Sequence, residues 1–459
     1  MQTLRQTLRD TAGLEQRTLW GADVSVAMRD IAFGTCLPGG GSTMAGQSVL
    51  VHTADQLSAA LALIALDGVA RRLILCPPDL AVDYLPIVIR DGEVTAVVTD
   101  REETLPGFDG LRVLRITAPT PMTDELATAA EPIRTEWVMF TSGTTGPPKM
   151  VVHDLEGLTG AIKPMATTDR PVVWATFYDI RRYGGLQILL RGLLSGGSMV
   201  ISSAHEGLVD LVDRMARLGV THVSGTPSHW RKALSMGPSI AIAPAYARLS
   251  GEIADQAILN QLKKTFPGAG VGHAYASTEA GVGFEVNDGL EGFPADLLEA
   301  QGGAVEMKVV DGSLRVRSSR TADRYLGEGA ALLADADGFV DTGDMVELRG
   351  GRYYFAGRRG GIINVGGLKV HPEEIEAVIN SYPGVRMSLA YGRRNAITGS
   401  IVVVDIVLEN GEGVDVAAFR HDLQKFCRDR LAAYKAPAML RIVPTLTMTE
   451  GGKLLRDHA

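Results

Sequence analysis

The chain has 459 residues, which is enough for about two or three domains, and 46% hydrophobic with 21% charged residues is an ordinary globular balance. The net charge of -8 argues against a nucleic-acid or anionic-membrane partner, because both are bound by basic surfaces. Three widely spaced cysteines fit neither a disulfide framework nor a zinc site. The N terminus lacks the apolar core of a signal peptide, so we expect a cytoplasmic protein.

Short β-rich runs alternate with helical runs over the first three-quarters of the chain. The segments QSVLVHT, RRLILCPP and VTAVVTD are typical of strands, and ADQLSAALALIALDGVA is typical of a helix. This order predicts an α/β fold in which parallel sheets are covered by helices. From about residue 305, Asp-Gly and Gly-Gly corners predict antiparallel hairpins and a β-barrel-like subdomain.

The C-terminal hundred residues or so predict a second, smaller α+β unit. It begins near GRRGGIINVGG (357–367), where five glycines in eleven residues favour a hinge. Pro372 and the acids that follow it are typical of a first helical turn. We therefore predict a large domain over residues 1–358 and a small mobile domain over residues 359–459, with the hinge at residues 358–361.

The loop FTSGTTGPPKMVVHD (140–154) combines glycines, hydroxyl side chains and Lys149 between a strand and a helix. Backbone N–H groups and hydroxyls in such a loop bind phosphate, and a lysine adds a positive charge. The loop is not a Walker A motif, since no glycine directly precedes the lysine and no Ser or Thr follows it. An exposed Ser/Thr/Gly-rich turn is the alternative explanation.

This loop and the motifs that follow it resemble, in sequence and in order, those of the adenylate-forming superfamily: acyl-CoA synthetases, luciferases and peptide-synthetase adenylation domains. The later motifs are RLSGEIA (248–254), YASTEAG (275–281), DTGD (341–344), GRRGGIINVGGLKVHPEEIE (357–376) and TEGGKLLR (449–456). Each motif alone has an ordinary structural explanation as core, turn or surface. Their common order, from residue 140 to the C terminus, favours the functional interpretation.

The resemblance implies an enzyme that joins a carboxylic acid to AMP, releases pyrophosphate and passes the acyl group to a thiol or another acceptor. It implies ATP, Mg²⁺ and, as acceptor substrate, coenzyme A. The implied phosphate cradle is Thr141, Ser142, Gly143, Thr144, Thr145, Gly146 and Lys149. The other implied nucleotide contacts are Gly251, Glu252, Ile253, Tyr275, Ala276, Ser277, Thr278, Asp344 and Arg358.

Within this set the resemblance gives several residues a particular role. Tyr275 is expected to stack on adenine, and Asp344 is expected to bind the ribose hydroxyls. The implied catalytic residues are Lys453, Thr278 and Glu279, with Glu279 as the Mg²⁺ ligand.

The same family pattern implies an acid pocket and a tunnel for coenzyme A. The implied pocket residues are Phe177, Tyr178, Gly225, Thr226, His273 and Ala274. Phe177 has an equally ordinary interpretation as a core residue. The implied tunnel residues are Gly366, Gly367 and Lys369, and the implied hinge residue is Gly360, where relatives carry Asp or Lys.

Substrate and acceptor are less sharply indicated. Ala276 stands where many relatives have glycine, and the added methyl group favours an aryl or small-to-medium acid over a long fatty acid. Arg181 and Arg182 either pair with a second carboxylate or with CoA phosphates, or form a solvated surface pair. We predict an acyl-CoA synthetase without a nucleic-acid or membrane partner. The alternatives are transfer to a carrier-protein thiol or an amine, and a catalytically silent nucleotide-binding relative.

Overall fold

The computed structural model describes residues 2–102, 107–117, 120–121, 131–141, 148–163, 171–237, 240–299, 302–395, 398–409, 414–449 and 452–456. Helices α1 to α12 span Leu4–Arg9, Met28–Phe33, Gln56–Leu66, Leu85–Asp91, Leu155–Thr159, Tyr183–Leu194, Leu208–Arg217, Pro227–Leu234, Gln256–Thr265, Asp296–Glu299, Pro372–Asn380 and Val416–Arg430. Strands β1 to β27 span Thr18–Trp20, Ser25–Ala27, Gly34–Thr35, Ser48–Val51, Arg72–Leu75, Ala96–Thr99, Arg112–Arg115, Thr120–Pro121, Glu136–Thr141, Lys149–His153, Val173–Thr176, Ser198–Val200, His222–Gly225, Tyr246–Ser250, Gly270–Ser277, Gly281–Val286, Phe293–Pro294, Val305–Val310, Ser313–Ser318, Arg324–Leu326, Val340–Arg349, Arg352–Arg358, Ile363–Val365, Leu368–Val370, Val385–Asn395, Gly399–Leu408 and Met439–Ile442.

Two large sheets form the centre of the molecule. One has the strand order β20-β10-β9-β5-β4-β6-β7, and the other has the order β16-β15-β14-β13-β11-β12-β1-β2. The inner strands are parallel: β4 pairs with β5 and β6, and β13 pairs with β11 and β14. Helices α3 and α6 share one hydrophobic core with residues of both sheets. The predicted parallel sheets covered by helices are confirmed.

A smaller antiparallel sheet follows, with the order β17-β22-β21-β19-β18. Two of its hairpin corners are Asp311-Gly312 and Gly350-Gly351, and all four residues have positive φ angles. Positive φ at both central positions is what a tight type I′ hairpin requires, which explains the choice of residues. This sheet is the β-barrel-like subdomain that the sequence predicted.

The C-terminal region has a hydrophobic core of its own. Ile375 of α11, Val404 and Ile406 of β26 and Leu423 of α12 are fully buried in it. A short 3-10 turn, Arg359–Gly361, lies between β22 and β23. A separate small unit is therefore present, while the division at residues 358–361 and the hinge role of that turn stay predictions.

The carboxyl ends of β11, β13 and β14 lie side by side because these strands are parallel and neighbouring. Ligands of open α/β sheets bind at this edge, and the predicted site residues follow these strands. In the parts of the chain that the structure describes, no helix combines the length and apolarity needed to span a bilayer. The cytoplasmic location stays a prediction.

Candidate active site

The predicted phosphate side of the site is built on β9, β10 and β20. Lys149 begins β10, pairs with Thr141 and places its ammonium group 5.1 Å from the ring centre of Tyr325 on β20. The Tyr325 hydroxyl lies 3.4 Å from a carboxylate oxygen of Glu279, to which it donates. Lys149 and Glu279 thus converge on Tyr325, a residue that the sequence analysis did not single out. Ser142, Gly143, Thr144, Thr145 and Gly146 lie outside the described residues.

His153 holds the backbone of the YASTEAG motif. Its Nε2 lies 2.6 Å from the carbonyl oxygen of Thr278. Because a carbonyl only accepts, Nε2 carries the hydrogen. Burial lowers the pKa of His153 to about 4, so the ring is neutral near pH 7. His153 therefore positions Thr278 and the adjacent Glu279. The sequence does not reveal this role, because His153 and Thr278 are 125 positions apart.

The predicted ribose site centres on the Asp344 carboxylate. One oxygen accepts a hydrogen bond of 2.7 Å from the Tyr275 hydroxyl, and the other accepts one of 2.9 Å from Arg358 Nε. The ring of Tyr275 stacks on Phe284 and Phe355, with centroids 5.5 and 5.2 Å away. These contacts bring the three predicted nucleotide residues together and orient them. The stacking of Tyr275 on adenine stays a prediction.

The segment that carries Lys453 is docked against the N-terminal end of α8. Thr226, the N-cap of that helix, donates a 2.6 Å hydrogen bond to the carbonyl oxygen of Gly452. The Gly452 φ angle is +71°, and a Cβ atom there would lie 1.7 Å from the His229 ring. Only glycine fits this close approach, which explains the Gly of the Gly-Lys pair.

A carboxylate fastens the same segment from its other side. Glu252 accepts a hydrogen bond of 3.1 Å from the Leu454 N–H with one oxygen and one of 2.9 Å from the Ser228 N–H with the other. Lys453 Cε lies 3.5 Å from the position that a Cβ atom of Gly251 would occupy. The predicted Gly251, Glu252 and Lys453 are therefore neighbours in space, although about two hundred residues separate them in sequence.

The electrostatic surroundings of Lys453 are mixed. Lys453 as a residue is exposed to solvent. The protein atoms that surround its ammonium group partly desolvate it, which lowers its pKa. The negative charge of Glu252 opposes that shift. Arg456, three residues after Lys453, donates hydrogen bonds of 2.8 Å to both oxygens of Glu376 on α11. Arg456 thus anchors the lysine segment to the small domain.

Some predicted acid-pocket residues turn out to be structural. Phe177 packs on the buried Trp230 with ring centres 5.5 Å apart, which supports its interpretation as a core residue. His273 and Ala274 are adjacent on β15, so their side chains point to opposite faces. The His273 ring lies 2.9 Å from the Leu290 carbonyl oxygen. The two residues therefore face opposite sides of the sheet, and the pocket role of each stays a prediction.

Other pocket residues keep a place at the site. The Tyr178 hydroxyl donates a 2.6 Å hydrogen bond to the Ser250 carbonyl oxygen, next to Gly251. A Cβ atom at Gly225 would lie 2.7 Å from the Phe177 ring, so this position requires glycine for packing.

The arginine pair after β11 differs from both sequence interpretations. Arg181 is 1% exposed and forms a buried ion pair with Asp179 at 2.5 Å, so it is neither a solvated residue nor free to bind a ligand. Arg182 pairs with Asp79. Asp179 and the Thr53 carbonyl oxygen occupy the Arg181 guanidinium group, whereas Arg182 is partly exposed and its Nε makes no hydrogen bond within the described residues.

The described residues fit a Mg²⁺ ion that is shared with substrate phosphates. No group of three or more His, Cys, Asp or Glu side chains within the described ranges could form an all-protein metal site. Mg²⁺ commonly takes one or two carboxylates and completes its shell with phosphate oxygens and water. Glu279, partly exposed beside Lys149 and Tyr325, is suited to be such a carboxylate.

The predicted coenzyme A residues lie apart, in the hairpin of β23 and β24. Gly366 and Gly367 form its corner with φ angles of +59° and +86°. Both glycines and Lys369 are exposed, and the apolar side chain of Leu368 is 48% exposed. Their tunnel role stays a prediction, as does the hinge role of Gly360, where a Cβ atom would meet no atom within 4 Å.

The chain was compared with known proteins. The 2-succinylbenzoate–CoA ligase of Salmonella typhimurium is 25% identical over 90% of this chain and 86% of its own length. The p-hydroxybenzoic acid–AMP ligase FadD22 of Mycobacterium marinum is 27% identical over 70% of this chain, which spans only 48% of that relative. These identities are low, but the first alignment runs over nearly the whole of both chains.

Solved structures resemble the fold over nearly its entire length. The anthranilate CoA ligase AuaEII in complex with anthranoyl-AMP has a TM-score of 0.81 at 17% identity and covers 98% of this chain and 95% of its own. The o-succinylbenzoate CoA synthetase of Bacillus subtilis in complex with OSB-AMP has a TM-score of 0.73 at 20% identity, with 99% and 97% covered. The likeness at these identities concerns the fold.

The family models match most of the chain. That of the AMP-binding enzymes matches residues 43–322, and that of the AMP-binding enzyme C-terminal domain matches residues 374–453. The predicted membership of the AMP-binding enzymes is confirmed, and the relatives described above are named as acid ligases. The chain belongs to the AMP-binding enzyme family.

Proposed function

We propose that the protein activates an aryl or small-to-medium carboxylic acid as its acyl-AMP and transfers the acyl group to coenzyme A. The observation that carries this proposal is the docked position of Lys453 beside Gly251 and Glu252. A lysine held by its neighbours at the edge of a nucleotide cleft is suited to stabilise charge that develops during phosphoryl chemistry.

In the first half-reaction, a carboxylate oxygen of the acid attacks the α-phosphorus of ATP. The bond from that phosphorus to the bridging oxygen breaks, and pyrophosphate leaves. Two anions must approach each other, so cationic groups and fixed geometry lower the barrier. Lys149 and Lys453 supply positive charge, Asp344 and Arg358 orient the ribose, and Mg²⁺ bound to Glu279 would neutralise phosphate oxygens when present.

In the second half-reaction, the thiol sulfur of coenzyme A attacks the acyl carbonyl carbon, and AMP leaves. The hairpin with Gly366 and Gly367 is exposed and offers a glycine corner that a narrow thiol arm can pass closely. We propose that the small domain turns about Gly360 to bring this hairpin to the site. The open space around Gly360 supports such a hinge.

The substrate proposal rests on Ala276 and on the relatives. Ala276 lies on β15, and its methyl group takes space that glycine would leave. The relatives described above are named for aromatic acids, 2-succinylbenzoate and p-hydroxybenzoate. Both observations favour a compact aromatic acid over a long acyl chain.

A pyrophosphate-release screen over aryl, short-chain and long-chain acids tests the function. We expect release that requires ATP and an aryl or compact acid, followed by AMP and a thioester when coenzyme A is added. Absence of release with every acid would overturn the proposal in favour of a silent nucleotide-binding protein. Lys149, Glu279, Asp344 and Lys453 are all retained, which argues against that outcome.

A second acceptor deserves a direct comparison. The mycobacterial relative is named an acid–AMP ligase rather than a CoA ligase, so its name does not specify coenzyme A as the acceptor. Coenzyme A, a phosphopantetheine-bearing carrier protein and simple amines should therefore be offered in parallel to preformed acyl-AMP. Faster acyl transfer to the carrier protein or to an amine than to coenzyme A would replace our proposed acceptor.

A further inference from the structure

A cavity lies where the small C-terminal region packs on the large domain. Helix α9 contacts α11 across this boundary, and helix α8 contacts β25. The cavity between these elements has a volume of about 260 Å³. That volume is near the lower limit of ordinary small-molecule sites, so it suits a compact ligand. None of the described residues that line it belongs to the predicted nucleotide, acid or coenzyme A sites.

Two cationic side chains line this cavity without a protein partner. Lys264, in the last turn of α9, is exposed, and Arg386 on β25 is half-buried. Within the described part of the chain, neither forms a hydrogen bond or an ion pair. Arg231 also lines the cavity, but Asp255 neutralises it at 2.5 Å. Since Glu409 is the one carboxylate among the described lining residues, the cavity carries a single excess positive charge.

An irregularity of β25 directs Arg386 toward the cavity. The register of β25 against β26 shifts between Val385 and Met387, so Arg386 is the extra residue of a β-bulge. Such bulges turn a side chain out of the alternating pattern and are common beside functional sites. The carbonyl oxygen of Gly384 accepts a 2.9 Å hydrogen bond from the Glu409 N–H. This backbone geometry fixes where both charged residues leave the strand pair.

Part of the cavity wall is apolar. Ile258 of α9 and Val385 of β25 line it and are only 0% and 5% exposed. The ring of Tyr382 also lines it and is held edge-on by Phe419 and Phe426, with centroids 5.4 and 5.0 Å away. Apolar surface favours a ligand with an apolar body, and cations beside that surface favour an anionic head group.

We propose that this cavity binds a small organic monoanion with a compact apolar body, and that the bound ligand holds the small domain in its docked position. Arg386 and Lys264 would bind the anionic head. Ile258, Val385 and Tyr382 would contact the body.

The coupling to domain position follows from the construction of the cavity. One wall belongs to the large domain and the other to the small domain, so a ligand contacts both only while the domains are docked. A ligand that binds one of two arrangements shifts the population toward that arrangement. This part of the inference rests on the proposed function, in which the small domain turns before thioester formation.

Isothermal titration calorimetry tests the binding, with benzenesulfonate as the monoanion and benzyl alcohol as its neutral counterpart. A sulfamoyl analogue of the acyl-AMP first fills the nucleotide and acid sites. We expect benzenesulfonate to bind the wild type at least about tenfold more tightly than benzyl alcohol, the value of one charge-assisted hydrogen bond. Arg386→Gln and Lys264→Gln should each lose most of this preference.

Arg394→Gln is the matched control, because Arg394 is an exposed arginine of the same strand that does not line the cavity. It should keep the full preference, and circular dichroism of each variant verifies folding. Equal affinities for benzenesulfonate and benzyl alcohol in the wild type would overturn the site. So would an Arg386→Gln variant and a Lys264→Gln variant that both bind like the wild type.

The rate of thioester formation from supplied acyl-AMP tests the coupling. Saturating benzenesulfonate should slow this step at least about threefold in the wild type and leave it unchanged in Arg386→Gln. Acyl-AMP formation at saturating acid should keep its rate. Wild-type thioester formation that is not slowed would overturn the coupling. Absence of acyl-AMP formation with every acid would overturn the ligase function, whereas calorimetric binding requires no turnover and would stand.

Discussion

The small C-terminal region presents two loops that differ in how they are held. Residues 452–454 are docked on the large domain by Thr226 and Glu252, and Arg456 ties them to α11. The hairpin corner at Gly366 and Gly367 is exposed. We propose that this docked arrangement is the one that activates the acid. If the hairpin serves thioester formation, as we propose, the docked contacts must break between the two half-reactions.

Lys453→Ala removes the centre of the docked loop and should have the largest effect. Loss of one charge-stabilising donor typically costs about 10²- to 10³-fold in rate, so acid-dependent pyrophosphate release should fall by that factor. Thioester formation from supplied acyl-AMP should persist, because the hairpin is untouched. Lys425→Ala, an exposed lysine of α12, is the control. Equal losses in both half-reactions would contradict the proposal that the Lys453 loop serves acid activation and the hairpin serves thioester formation.

Arg456→Ala tests whether the anchor, rather than the lysine alone, defines the docked loop. It removes the two 2.8 Å hydrogen bonds to Glu376 and leaves that buried carboxylate without this cation. Pyrophosphate release should fall by about 10- to 30-fold, since charge-assisted hydrogen bonds are the stronger class. A thermal unfolding scan separates lost stability from lost positioning. An unchanged rate would show that Thr226 and Glu252 suffice.

Gly360→Pro should have the opposite effect to Lys453→Ala, because it should impair thioester formation and leave acid activation intact. Proline fixes φ near −65° and limits the rotation that the proposed hinge requires, while a side chain there meets no close neighbour. Pyrophosphate release should be retained, and thioester formation should fall by about tenfold. Gly360→Ala is the matched control. Loss of pyrophosphate release alone would place the hinge elsewhere.

Glu252→Gln addresses the charge of the docked lysine. Burial lowers the pKa of Lys453, and the negative Glu252 opposes this shift. Removal of that charge lowers the pKa further, so Lys453 loses its proton at a lower pH. The alkaline fall of kcat/KM for pyrophosphate release should therefore move to lower pH, whereas the acid side of the profile should not move. An alkaline limb that stays in place would assign it to a group other than Lys453.

Tyr325→Phe tests the predicted phosphate side of the site, where Lys149 and Glu279 both contact the Tyr325 side chain. The hydrogen bond to Glu279 is long, at 3.4 Å, so the loss should be small. We expect about a threefold lower rate and a higher Mg²⁺ requirement, measured as the Mg²⁺ concentration for half-maximal release. Tyr434→Phe, at an exposed tyrosine, is the control. An unchanged Mg²⁺ requirement would mean that Tyr325 only packs under Lys149.

The elements of the fold could be predicted from local patterns. The segment ADQLSAALALIALDGVA was predicted to be a helix, and it forms α3, which is buried on nearly every side. The hairpin corners at Gly312 and Gly351 followed from their turn chemistry. The site was predicted less completely: Asp344, Arg358 and Tyr275 do meet, but His273 and Arg181 are engaged elsewhere. Whether a polar residue is free depends on partners that are distant in sequence.

The sequence by itself determined the family, the parallel sheets and the order of the motifs, because glycines, turn residues and apolar periodicity act locally. Only the tertiary structure decided which groups meet. It placed Tyr325 between Lys149 and Glu279, and it set His153 against the Thr278 carbonyl. It also paired the buried Arg248 on β14 with Glu285 on β16, which lie far apart in the chain. Such pairing is a property of the assembled core and is invisible in any single motif.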